Sequence, residues 1–387
     1  VKKSALVFSI LAVCCGMAHA QNSVTLYGIL DEGIDFNSNA GGHRQYYMVG
    51  SVVSGNRFGF RGTEDLGGGL RAIFTLENGF DINSGALGQG GLLFGRQAFV
   101  GLASDRYGTI TLGRQYDSSI DYVSPLAANQ WGGYIVASPA DMENFTAGRH
   151  TNNSIKYASP QLAGLTFGGL YSLGGVAGDV TQNQLYSIGA AYSYGSWNVG
   201  AAYLNSRNPN ASYYATSTAG ATAATNNFPS PVNRGYASAH TMQLADVAVS
   251  YTLGSATFSA LYSNVQFKGL SGATSVLNPA GLSGTGTFNN VALNFRYQLA
   301  PSLLLATQYE RLHGGSVKGT SGATYNQFDF GADYFLSKRT DFYLIAVYQQ
   351  ASGTQSDGKP AVAAINVITP SSTNRQATVR LAMRHRF

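Results

Sequence analysis

From Ser23 onward the chain alternates between apolar or aromatic side chains and small or polar ones, in segments of about 10 to 13 residues. A period of two belongs to strands and is incompatible with the 3.6-residue period of helices. In SVTLYGILDEG, Val24, Leu26, Gly28 and Leu30 share one face, and Thr25, Tyr27, Ile29 and Asp31 the other. At the end of the chain Val379, Leu381, Met383, His385 and Phe387 alternate with Thr378, Arg380, Ala382, Arg384 and Arg386. Three arginines on one parity cannot face hydrocarbon at low cost, so that parity must be wet. Likewise Val291, Leu293, Phe295 and Tyr297 alternate with Asn290, Asn294 and Arg296.

Sixteen such segments are predicted: 24–36, 49–62, 69–81, 92–104, 108–117, 152–159, 163–173, 183–194, 196–206, 241–253, 255–268, 287–299, 302–313, 324–337, 339–350 and 375–387. An even count suits a closed antiparallel barrel. Short connections (64–69, 194–196, 253–255, 300–302, 337–340) interleave with long ones (37–48, 82–91, 118–151, 207–240, 269–286, 351–374). That rhythm predicts an all-β transmembrane barrel with short periplasmic turns and long extracellular loops. The connection at 174–182 is shorter, and the Gly-rich 314–323 reads either as loop or as strand, which leaves the count open by two.

Composition removes the competitors. Only 11% of residues are charged, against about a quarter in soluble domains. Past residue 20 nothing approaches the roughly 18 to 20 consecutive apolar residues of a membrane helix. Disorder is excluded by 44% hydrophobic and 12% aromatic content. A soluble sandwich would also alternate, but its concealed face would have no place for so many polar side chains. In hydrocarbon only a helix or a closed sheet pairs every backbone N–H and C=O.

Lys2 and Lys3, the apolar run Ala5–Cys15 and Ala18-His19-Ala20 have the pattern of a removable secretory signal, with cleavage expected after Ala20. Residues 21–387 then form one barrel domain. Both cysteines, Cys14 and Cys15, leave with the signal, so neither disulfides nor thiolate metal sites are expected. The remainder has 22 basic and 19 acidic residues, a net +3 without a Lys/Arg run, which gives no sign of nucleic-acid binding. No G-x-S-x-G, no H-E-x-x-H and no distinctive acid pair is found, and His43, His150, His240, His313 and His385 are scattered. An enzyme, a cofactor and a metal are therefore not expected.

GNRFGFRGTEDLGGGLRAIFTLENGF (55–80), LFGRQAFVGLASDRYGTITLGRQ (93–115), NNSIKYASPQLAGL (152–165), YFLSKRTDFYLIAVY (334–348) and RHRF (384–387) closely resemble the trimeric general porins of Gram-negative outer membranes, beta-proteobacterial type. The resemblance implies a sixteen-stranded barrel, a homotrimer in outer-membrane lipid and lipopolysaccharide, a third extracellular loop folded into the lumen, and passive passage of small hydrophilic solutes and ions. It further implies that Phe387 is the residue recognised by the barrel insertion machinery. A substrate-specific channel of the same fold, or an outer-membrane hydrolase, is the alternative.

The family's pore sets wall arginines opposite acids of its third loop. Arg57, Arg96 and Arg149 match that ladder, and Arg96 cannot cheaply face lipid in any case. Arg61, Arg71 and the C-terminal arginines are expected in the vestibule or at the rim. The 118–151 loop, with Asp117, Asp121, Asp141 and Glu143 in or beside it, looks like the constriction loop. The acid-free 207–240 looks like an exposed, tolerant one. Arginines in excess over lumen acids predict weak to moderate anion preference. Arg114 shares parity with Ile110 and Leu112, which predicts the headgroup rim or a subunit interface.

Overall fold

The computed structural model describes residues 23–211, 226–318 and 320–387, so the expected signal peptide and the middle of the 207–240 connection lie outside the described residues. The alternating segments form strands β1 Ser23–Ala40, β2 His43–Gly50, β3 Arg57–Gly67, β4 Leu70–Gly79, β5 Gln97–Ser104, β6 Gly108–Gln115, β7 Thr151–Ala158 and β8 Leu165–Ser172. They continue with β9 Leu185–Tyr194, β10 Trp197–Arg207, β11 Thr241–Leu253, β12 Ala256–Ser271, β13 Ser283–Ala300, β14 Leu303–Gly314, β15 Ala323–Phe335, β16 Thr340–Gly353 and β17 Arg375–Arg386. Two short helices, α1 Ser118–Tyr122 and α2 Asn129–Gly132, lie between β6 and β7.

β1 pairs with β2 through Glu32–Ala40 and with β3 through Ser23–Ile29, so β2 and β3 are halves of one stave and the ring has sixteen. It closes where β1 meets β17 in register from Ile29↔Arg386 to Asn37↔Thr378. Gly28 and Phe387 complete the seam by exchanging N–H···O bonds of 3.1 Å. Among the described residues no β-edge is left for lipid to meet. The break between β2 and β3 has a local cause. Asp31 Oδ2 accepts from Ser54 N at 3.0 Å, and Asn56 Oδ1 accepts from Asp31 N at 2.5 Å. These bonds divert backbone donors from the ladder and fold Val52 and Val53 inward, where both are buried.

Parity decides exposure along most of the staves. Leu381 is 60% exposed, whereas Arg380 beside it is fully buried. On β14, Arg311 and Thr307 are exposed while Gln308 and Glu310 are buried. The exterior is an apolar band, and the polar parity lines the lumen.

Two connections differ from expectation. Residues 37–48 do not form a loop: β1 and β2 run on and meet at Gly41-Gly42, whose φ of 61° and 114° only glycine adopts freely. The segment 314–323 holds the bridge Val317↔Thr320 and adds no stave.

Three connections turn into the lumen. In the first, residues 118–150, α1 packs on β8, β9 and β10, while Tyr134 N donates to Val52 O at 2.8 Å across the ring. Trp131 Nε1 donates to Asn294 Oδ1 of β13 at 2.9 Å, and Gln308 Nε2 of β14 donates to Val136 O at 2.9 Å. A segment that touches opposite walls of a closed ring lies inside it. The second is the described part of 207–240, where Phe228, Val232 and Tyr236 are buried. Tyr236 stacks on Phe267 at 5.2 Å and meets Phe288 edge-on at 5.3 Å, so this part of the connection is packed rather than exposed. The third, 354–374, buries Ile365 and Ile368, and its Asn366 Nδ2 donates to Tyr134 O at 3.0 Å.

Candidate functional site: the arginine-lined passage

Below the 118–150 loop lies a cavity of about 370 Å³ walled by Arg57, Arg96, Arg384 and Arg386. Above it lies a vestibule of about 420 Å³. Tyr134 and Thr146, on the loop's inner edge, line both spaces. The passage therefore narrows where they face the wall.

The four guanidiniums are unequally compensated. Arg96, buried at the start of β5, donates through Nε to Glu77 Oε1 at 2.8 Å and through Nη2 to the Tyr116 hydroxyl at 2.9 Å. Arg384 bonds Asp333 at 3.0 Å and Asp341 at 3.1 Å, and Arg386 bonds Asp341 at 3.0 Å. Arg57 has no carboxylate within ion-pair distance among the described residues. Four cations against Glu77, Asp333 and Asp341 leave one positive charge, centred on Arg57.

The loop acids stand elsewhere. Asp117 caps α1, accepting from Ser119 N at 2.9 Å and Ile120 N at 3.4 Å, and its other oxygen accepts from Asn144 Nδ2 at 3.0 Å. Asp121 pairs with Lys156 at 2.5 Å. Asp141 accepts from the Thr146 hydroxyl at 2.6 Å. Glu143 accepts from Ser138, from Ser263 of β12, and from Asn290 Nδ2 of β13 at 3.1 Å. These bonds hold the loop to itself and to the wall. The loop face opposite the arginines presents Ser124, Asn129, Gln130 and Thr146 and no carboxylate. The expected acid-against-arginine pairing across the lower cavity is thus replaced by arginine against a neutral polar face.

Burial pushes the Asp117 carboxyl up to about 6, and raises Asp121, Asp141 and Glu143 for the same reason. A raised carboxyl favours the docked loop when protonated. Asp117's contribution is complete below about pH 4, its ordinary range, and is lost as pH rises through about 6. Open-channel current noise should therefore increase between about pH 4 and 7, from the ordinary carboxylate range to about one unit above the raised midpoint, and Asp117→Asn should flatten the increase. Identical pH profiles in the two proteins would remove Asp117 from the latch.

Gly133 fixes the loop's seat. Its φ of 60° and ψ of −138° are closed to L-residues, and a Cβ there would approach Val53 Cα to 2.3 Å. Gly133→Ala should cost about 1–3 kcal/mol in backbone strain and loosen Tyr134 at the narrowing. A larger, noisier single-channel conductance is the expected reading.

The remaining expectations divide. Arg149 lies on the loop, not on the wall: its Nη1 donates to Asp141 O at 2.6 Å and Nη2 to Ala140 O at 3.0 Å, beside the vestibule. Arg114 does not follow its strand's parity. A bulge after Gly113, whose φ is 139°, re-aims its side chain, and the guanidinium donates to Gly95 O at 2.7 Å and to Asn152 while lining the vestibule. The reason it does not reach outward is this bulge. Arg71 pairs with Asp105 at 2.7 Å at the turn end, an exposed rim pair. Arg384 and Arg386, expected in the vestibule or at the rim, line the lower cavity. Phe387 lays its ring over Gly28, where a Cβ would come within 2.3 Å of Phe387 Cζ. Tyr134 and Thr146 give no sequence signal beyond loop membership.

A closed sixteen-stave ring with an apolar exterior, a polar interior and a passage narrowed by an inserted loop defines a transmembrane pore of the outer-membrane type. The chain belongs to the Gram-negative porin family, whose model matches residues 5–354. It is similar to an outer membrane porin protein of Bordetella pertussis, 29% identical over 410 residues that cover 95% of this chain and 99% of the relative. Outer membrane porin protein 32 of Delftia acidovorans is 36% identical over 213 residues, 51% of this chain and 54% of that one. Among solved structures, an anion-selective porin from Comamonas acidovorans superposes with a TM-score of 0.71 at 21% identity, covering 95% of this chain and 100% of that one. The trimer form of OmpT from Vibrio cholerae gives 0.66 at 15% identity, with 95% and 99% covered. The protein is an outer-membrane porin channel, and its relatives are channels rather than enzymes.

Proposed function

We propose that the protein is a passive diffusion channel for small hydrophilic solutes and ions, with a weak preference for anions. The observation that carries this reading is the uncompensated charge of Arg57 in a cavity whose loop face holds no carboxylate. A cation beside a narrow aqueous path lowers the energy of passing anions and raises that of cations over a distance comparable to the roughly 8 Å Debye length. Arg96 contributes a positive edge softened by Glu77, and Arg149 extends the positive lining into the vestibule. Asp117, Asp121, Asp141 and Glu143 act by anchoring the loop. The anion-selective Comamonas porin gives collateral support through its fold.

The same reading has a homotrimer embedded among outer-membrane lipid and lipopolysaccharide, exported by residues 1–20, with Phe387 presented to the insertion machinery. Arg114, expected at the headgroup rim or a subunit interface, is assigned to the vestibule. Planar-bilayer recording with potassium chloride gradients and sized neutral solutes tests the proposal. Anion-directed reversal potentials and a sharp size cut-off are expected; clear cation selectivity overturns it.

A further inference from the structure

The outer face of β11–β15 is not a plain hydrocarbon wall. Ala260 stands between Val249 and Leu293 in one cross-strand row, and Thr307 between Phe295 and Phe330 in the next. These two small side chains floor an external groove of about 560 Å³. Its walls are aromatic pairs: Trp197 with Tyr251 at 4.6 Å, Phe258 with Phe295 at 5.0 Å and Tyr309 with Phe328 at 4.7 Å. The Thr307 hydroxyl donates to Asp329 O at 2.8 Å, so the polar atom of the floor is already satisfied. A walled groove touches an inserted chain on several sides where a flat wall touches it on one, so it selects an acyl chain by shape although lipid tails elsewhere are equally apolar.

Toward the long-loop end the same outward parity turns polar and cationic. The Tyr309 hydroxyl and Arg311 Nη1 both donate to Asn326 Oδ1, at 3.0 and 3.1 Å, which sets the guanidinium at the upper end of the groove. Amides lead on from there. The Tyr262 hydroxyl and Asn264 Nδ2 donate to Asn289 Oδ1 at 2.9 and 2.8 Å, and Gln266 Nε2 donates to Asn264 Oδ1 at 2.6 Å. Lys268 follows on the same parity of β12. Among the described residues neither Arg311 nor Lys268 has an ion-pair partner. The acids of these staves, Asp246, Glu310, Asp329 and Asp333, are buried on the lumen parity, so the outer face is positive without compensation. Free cations and amides above an apolar groove match an amphiphile that carries phosphate on a sugar and acyl chains below it.

We propose that this face binds the lipid A part of lipopolysaccharide, an acylated and phosphorylated glucosamine disaccharide. A phosphate lies against Arg311, the sugar against Asn289, Asn264 and Gln266, and one acyl chain in the groove. The inference rests on the outer-membrane setting of the proposed function, in which this lipid surrounds the long-loop end, and not on what the pore conducts. With no carboxylate on the face, the guanidinium meets the phosphate directly and no divalent ion is needed between them.

The probe is purified lipid A, titrated into the refolded chain in detergent and followed by native mass spectrometry. Saturable retention that survives chelation with EDTA is expected. Arg311→Glu and, separately, Ala260→Trp, which fills the groove floor, should each weaken binding about tenfold. Arg44→Glu, an exposed cation of β2, should leave it unchanged. Dephosphorylated lipid A should bind the parent about as weakly as lipid A binds Arg311→Glu. Folding of each variant is checked by heat-modifiable migration. Equal affinity in parent, Arg311→Glu and Ala260→Trp, loss of binding in EDTA, or equal retention of phosphatidylethanolamine overturns the proposal. Disulfide trapping between subunits through Ala260→Cys would give the face to a second copy and overturn it too. Conductance steps without lipid A binding would sink this site and keep the porin reading; binding without steps would do the reverse.

Discussion

Exchanging Arg57 for Glu should turn the channel from anion-preferring to cation-preferring. A monovalent ion about 6 Å from a unit charge in water feels about 0.7 kcal/mol, so reversing the sign changes the anion's energy by about 1.4 kcal/mol, roughly tenfold in occupancy. Arg57 is the charge to change because Arg96, Arg384 and Arg386 already face Glu77, Asp333 and Asp341. Arg96→Gln should do less than this reversal: it removes one positive charge and leaves Glu77 to offset Arg57, which weakens the anion preference without inverting it. Reversal potentials at low salt, where screening is weakest, give the clearest measurement. An Arg57→Glu channel that still prefers chloride would move the selectivity filter away from the lower cavity.

The largest stability effect is expected at the seam of the barrel. Arg380 of β17 is fully buried and binds Asp31 at 2.9 Å, Asp35 at 2.7 Å and the Tyr343 hydroxyl at 2.8 Å. Both acids belong to β1, so one side chain stitches the first stave to the last beside the Asp35↔Arg380 register pair. Arg380→Met leaves two buried carboxylates uncompensated, which typically costs about 3–5 kcal/mol. The temperature at which the folded band disappears on unheated gels should fall markedly. Adding Asp31→Asn and Asp35→Asn should restore much of the loss, because the neutral amides no longer require a cation. If the triple variant is no more stable than Arg380→Met, packing rather than charge balance explains the site.

Staves are legible from sequence because an apolar exterior and a polar lumen impose a period of two on every membrane-crossing segment, as in Val379 to Phe387. The β2 segment is less so: beyond the membrane both faces are wet, and HRQYYMVG blends polar and aromatic residues on each parity. The fate of the connections is hidden for a different reason. Whether a loop points inward depends on partners remote in sequence, as with Glu143 and Asn290, or Asn366 and Tyr134. Composition misleads at 207–240, where Ala, Ser and Thr are frequent yet Phe228, Val232 and Tyr236 bind the end of the segment to Phe267 and Phe288. Arg114 shows the limit of parity counting: one bulge reverses it, and the cue is the neighbouring Gly113. The arginines of the passage are partly readable, Arg57 and Arg96 by their cost in lipid, but which of them keeps its charge depends on carboxylates contributed by β4, β15 and β16.

Turning three connections into the lumen also reshapes what the cell displays. Sequence drift in the described parts of those segments is constrained by their packing, so among the described residues antibodies and phage tail fibres meet a reduced set of handles, chiefly the β1–β2 tip at Gly41-Gly42 and exposed stretches such as those around Val180 and Val276. Escape variants selected under such attack should concentrate there and leave permeation intact.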